Sequence, residues 1–130
     1  MRRNRCIRAV IVLLSLPALF TFAYAASGGL APPPGYKPDP KIVRLFNAKC
    51  ATCHGEDGRA KTQEGREMGI EDMTKAAYWK DLTLEKARKS VGDGIKRTRN
   101  GKEQEMKPFK GRFTPERIDA LNIYASSLKK

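Results

Sequence analysis

The residues able to do chemistry crowd into one pentapeptide, Cys50-Ala51-Thr52-Cys53-His54. His54 is the single histidine of the 130-residue chain, and the third cysteine, Cys6, lies far upstream. On the last turn of a helix, residues three and four apart share a face. Two thiols and an imidazole can therefore bear on one bound group. A Cys50–Cys53 redox disulfide is one use of such a set, but the βαβ pattern that goes with it is missing. A zinc site wants four ligands, usually with a second Cys or His pair, and no further pair exists. A structural disulfide would leave His54 without a role.

Cys-x-x-Cys-His is also the attachment motif for haem c. Two thioethers anchor the porphyrin, and the imidazole ligates its iron. A second histidine ligand is impossible here. The soft candidates for the opposite side are Met68, Met73 and Met106. Met106 is followed by Lys107-Pro108 in a stretch without regular period, where a loop methionine can reach over a porphyrin face. Met73 reads as core packing on a short helix, and Met68 as a wall or surface contact. The reading takes Cys50 and Cys53 as covalent anchors, and His54 and Met106 as axial iron ligands, with vacant or lysine-ligated iron as the alternative to Met106.

Helical signals surround these residues. Asp39-Pro40 opens a helix with an N-cap and a proline at the first position. It runs from Lys41 to about Ala51, with Ile42, Leu45 and Phe46 at helical spacing. Asp72 opens a second from Met73 to about Lys80. A third runs from Thr83 to about Val91 and stops at Gly92 or Gly94. Thr114-Pro115 starts the last, to about Leu128, with Ile118, Leu121, Tyr124, Ala125 and Leu128 on its apolar face. No long alternating apolar run predicts sheet. Residues 95–113 read as a long loop, and such loops are usually functional or disordered.

The N-terminus is of another kind. Four arginines (Arg2, Arg3, Arg5, Arg8) precede an uncharged run over residues 9–23, and Ala23-Tyr24-Ala25 follows. This is the pattern of a secretory signal peptide, residues 1–25, cleaved after Ala25, with an uncleaved signal anchor as the alternative. The apolar run is short for a membrane span of roughly 20 residues. Cys6 leaves with the signal, and the mature chain works outside the cytoplasm, in the periplasm. Ser27 to Pro40 holds five prolines and three glycines, which favours an extended arm over residues 26–40 outside the core. Residues 41–130 form one small domain.

The chain carries 26 Lys+Arg against 14 Asp+Glu, a formal charge of +12. All four signal arginines lie before Ala26, so 22 basic residues against 14 acidic leave +8 beyond it. Lys96, Arg97, Arg99, Lys102, Lys107, Lys110 and Arg112 fall in or beside the Met106 stretch. A basic collar there would steer an acidic redox partner, with an effect that fades in salt. No nucleic-acid motif is present, and membrane contact is at most peripheral.

From about Lys41 to Leu128 the chain resembles a class I monohaem cytochrome c of the small bacterial periplasmic type. The haem motif near the start, Gly55-Glu56-Asp57-Gly58 after it, the loop methionine and the closing helix with Leu121 and Tyr124 carry the resemblance. It implies an all-α fold, about four short helices and long loops wrapped around one covalently bound haem c. It implies that the first and last helices cross, with Phe46 against Leu121 and Tyr124. For the Trp79 indole it offers a haem propionate as partner, with an ordinary core tryptophan whose N–H finds any partner as the equal alternative, and the same less strongly for Tyr78. The family commonly has Gly-Pro supplying the carbonyl for the proximal imidazole, where this chain has Gln63-Glu64-Gly65-Arg66. Its usual Met-Pro pair is here Met106-Lys107-Pro108. The implied function is one-electron transfer between proteins, without substrate chemistry. The alternatives are an enzymatic or sensory haem with an open sixth position, and a haem subunit of a larger oxidoreductase.

Overall fold

The computed structural model describes residues 29–130. The expected signal peptide over residues 1–25 and its cleavage site lie outside the described residues. Eight elements follow in order: α1 (Pro40–Lys49), α2 (Ala51–His54), α3 (Gln63–Glu67), α4 (Ala76–Trp79), α5 (Leu84–Asp93), β1 (Ile95–Arg99), β2 (Lys102–Met106) and α6 (Pro115–Ser127). No described helix is long and apolar enough to cross a membrane.

The helix starts follow their capping residues. Asp39 accepts a hydrogen bond from the Lys41 amide at 2.8 Å, and Pro40 occupies the first turn, where its missing N–H costs nothing. Thr83 and Thr114 cap α5 and α6 in the same way. Thr62 caps α3, a short helix that the sequence reading missed. The helix expected from Asp72 begins later. The Asp72 carboxylate takes both the amide and the hydroxyl of Thr74, which closes a local turn in competition with helix. Only Ala76–Trp79 is helical there.

The core lies where α1 and α5 pack on α6. Phe46 is 2 % exposed and meets Tyr124 edge-to-face, with ring centroids 5.2 Å apart. Leu30, Met73, Trp79, Ala87, Leu121 and Ala125 complete the cluster. The expected crossing of the first and last helices is present. Arg88 on α5 holds Asp119 on α6 through two hydrogen bonds, 2.6 and 2.5 Å.

Two expectations need correction. The N-terminal arm is not wholly outside the core: Leu30 is 7 % exposed, and its amide donates to the Leu82 carbonyl at 2.8 Å. Residues 95–106 are not loop. β1 and β2 pair antiparallel, with Ile95 opposite Met106 and Arg97 opposite Gln104. Asn100 and Gly101 between them both have positive φ, +52° and +72°, as a two-residue hairpin turn of the primed type requires. The strands carry almost no apolar residues, so hydrophobic alternation gave no signal. The remainder of the molecule is mostly helical.

Candidate cofactor site

Cys50 ends α1. Its amide still donates to Phe46 O at 2.7 Å, while its φ of −118° breaks the helix. The chain then turns once more, as α2. The Cys50 carbonyl accepts from Cys53 N at 3.2 Å and from His54 N at 2.9 Å. Ala51 points into the protein and Thr52 to solvent, while Cys50, Cys53 and His54 are half-buried. The three side chains are thus delivered by one helical turn.

Both cysteines are free thiols. Burial, and then the neighbouring Cys53, push the Cys50 thiol up to about 11. Burial, and then Glu64, raise Cys53. Thiol–disulfide exchange needs thiolate, so these thiols are poorly suited to it at neutral pH. Burial lowers the His54 imidazole and keeps it neutral, the form that ligates a metal. No group of three or more His, Cys, Asp or Glu among the described residues is placed to hold a metal ion.

A second wall stands behind the motif. The Thr62 hydroxyl donates to Cys53 O at 3.2 Å and accepts from Gly65 N at 2.9 Å. Gly65 packs so closely that a Cβ on it would lie 2.5 Å from Cys53 O and 2.4 Å from Ala60 O. Ala60 N in turn donates to His54 O at 2.8 Å. Yet His54 Nδ1 is buried with no hydrogen-bond partner; residues 63–66 do not provide its acceptor. An uncharged, buried imidazole beside two unpaired thiols suits a group that bonds to all three, and haem c is such a group.

Met106 ends β2 and is half-buried. Its stretch is gripped from below. A Cβ on Gly94 would fall 2.5 Å from Met106 O and 2.9 Å from Pro108 N. The amides of Phe109 and Lys110 donate to Val91 and Gly92 carbonyls at the end of α5, at 2.9–3.2 Å. These are carbonyls the helix leaves open. Met73, by contrast, is buried in the core cluster, as expected. Met68 caps the end of α3 and is half-buried.

Of the two readings for Trp79, the structure shows the core tryptophan. Its indole N–H donates to the Met73 carbonyl at 2.6 Å, which satisfies it inside the protein. Tyr78 packs edge-on against Trp79 at 4.8 Å. Two cavities, of about 420 and 360 Å³, are lined by other residues than Cys50, Cys53, His54 and Met106.

The seven collar cations divide. Arg97 donates to Gln104, Arg99 pairs with Glu71, and Lys102 Nζ reaches Arg66 O at 2.5 Å. These three turn toward the protein. Lys96 stands opposite Glu105 on the outer face of the hairpin. Lys107, Lys110 and Arg112 are exposed, with Arg112 lying 5.7 Å over the Phe109 ring. Gln104 escaped the sequence reading, and Gly94 was read only as a helix stop, which it is, not as a support under Met106. The Asn100-Gly101 pair was the signal that could have found the hairpin and, through it, both roles.

The family model "Cytochrome c" matches residues 41–129. Two solved structures are similar. A structure of "KustC0563 c-type cytochrome" is 28% identical with a TM-score of 0.55, covering 68% of this chain and 96% of that one. A Tyr-to-Phe mutant of Kustc0563 is likewise 28% identical, with a TM-score of 0.55 and coverage of 68% and 98%. No curated protein matches. The chain belongs to the cytochrome c family, haem-binding electron carriers with covalently attached haem c, and its Cys50 and Cys53 fit the attachment motif.

Proposed function

We propose that this cytochrome is an exported one-electron shuttle, with haem c on Cys50 and Cys53 and with His54 and Met106 as axial iron ligands. The observation that favours Met106 is the way its backbone is fixed. Gly94 and the end of α5 hold it from below, while its side chain stays outside the core that absorbs Met73.

Haem, when bound, supplies an iron that alternates between ferric and ferrous states. The chain's own work is to anchor, orient and insulate. Cys50 and Cys53 anchor through one helical turn. Burial holds His54 neutral, with its lone pair available. Iron held by the His54 imidazole and the Met106 thioether would have a higher reduction potential than iron held by two imidazoles. Electron transfer makes and breaks no substrate bond, so no acid or base is required, and the role is not enzymatic.

The N-terminal signal supports a periplasmic location. Lys107, Lys110 and Arg112 offer an exposed basic edge beside Met106 for an acidic partner face. Absorption spectra of the matured protein test the reading. Expected are a ferric spectrum with the weak red charge-transfer band of a thioether-ligated iron, and a ferrous form slow to bind carbon monoxide. A ferric spectrum without that band, with rapid carbon monoxide uptake, would replace the shuttle with an open-site haem protein.

A further inference from the structure

Gln104 is the buried polar residue of a mostly exposed strand, only 5 % accessible. Its Nε2 donates to Met68 O at 3.1 Å and to Gly69 O at 2.8 Å. Its Oε1 accepts from Arg97 Nε at 2.8 Å. Both amide protons and the carbonyl are engaged. The opposite amide orientation would set oxygen against two carbonyls and nitrogen against a guanidinium, so the network fixes the side chain in one sense.

Successive strand residues point to opposite faces. Gln104 and Met106, two apart on β2, therefore share a face, together with Lys102. That face docks on the end of α3, where Lys102 adds its bond to Arg66 O and Arg99 its pair with Glu71. The other end of α3 is fixed to the haem motif, through Thr62 on Cys53 O and the close packing of Gly65. A continuous line of contacts thus runs from Cys53, beside His54, through α3 to Gln104 and on to Met106. Gln104 is the one buried link in it on the hairpin side.

We propose that Gln104 is a positioning residue for the Met106 thioether, setting the height of β2 over the segment that backs Cys53 and His54. This rests on Met106 being an iron ligand. Without the amide, two carbonyls and one guanidinium lose their partner, and β2 lifts. The hairpin keeps its own ladder, the haem keeps both covalent anchors, but the methionine is held less firmly.

The test is a pH titration of the methionine charge-transfer band in the holoprotein, with carbon monoxide binding to the ferrous form. Gln104→Leu keeps the volume and loses all three bonds. Gln104→Glu keeps the acceptor for Arg97 and sets a carboxylate against the two carbonyls. Both should lose the band at a pH lower by about one unit, a tenfold weaker ligation, and both should bind carbon monoxide at least about tenfold faster. Glu103→Gln, one residue away on the solvent face, should match the parent. Should Gln104→Leu fail to accumulate, Gln104→Glu decides. Parental titration and carbon monoxide rates in the Gln104 variants would overturn the proposal. A band that is absent from the parent, or that survives Met106→Ala, would instead overturn the ligand assignment, and the role of Gln104 with it.

Discussion

Gly94 and Met106 touch backbone to backbone: a Cβ on Gly94 would stand 2.5 Å from the Met106 carbonyl oxygen. Gly94 also has φ of +78°, a conformation that side chains resist. Both constraints fall on the residue that closes α5 and launches β1. Gly94→Ala should therefore destabilise the holoprotein by about 2 kcal/mol or more and weaken the methionine charge-transfer band. Guanidinium unfolding and the ferric spectrum read the two effects. An unchanged midpoint with an unchanged band would show that this contact does not hold Met106.

The helix crossing depends on Phe46. It is nearly fully buried and lies edge-to-face on Tyr124. Phe46→Ala leaves a cavity between α1 and α6, and the expected cost is about 3–5 kcal/mol, part of it the aromatic pair. Urea unfolding measures this. A loss below about 1 kcal/mol would mean that the crossing relaxes around the gap.

The six helices of the described residues, three of them five residues or fewer, leave a small core to set against chain entropy, so the haem is expected to help hold the fold together. The double variant Cys50→Ala, Cys53→Ala should be largely unfolded or molten. Far-UV circular dichroism with native helicity and a cooperative melt would contradict this.

Asp72 contributes to the pH dependence of stability. Its hydrogen bonds from the Thr74 hydroxyl and amide hold its carboxyl below the ordinary aspartate value. A depressed folded-state value stabilises above the unfolded one, about 3.9, and that stability is lost as pH falls through the folded value. Asp72→Asn should thus melt below the parent at pH 7, and the gap should close at acid pH. A gap that stays constant from neutral to acid pH would assign the effect to shape instead of charge.

Much of the architecture could be read from the residues. Asp39, Thr83 and Thr114 announced α1, α5 and α6, because capping is local and needs no tertiary knowledge. The Cys50–His54 motif was equally plain, since its spacing is the site. The hairpin was not. Its inward face bears Arg97, Lys102 and Gln104 and docks through hydrogen bonds to carbonyls, so hydrophobic period carried no trace of it. Leu30 was hidden for another reason: proline and glycine around it set the backbone of the arm, but not where the arm lies. Trp79 shows the limit of resemblance, with its indole spent on the Met73 carbonyl.

Intact-mass analysis of the natively matured protein, with tryptic mapping of the segment between Lys49 and Arg59, tests the central claim most directly. The account predicts one haem added to the chain and both Cys50 and Cys53 modified within a single peptide. An unmodified mass, with free thiols or a Cys50–Cys53 disulfide in that peptide, would contradict it.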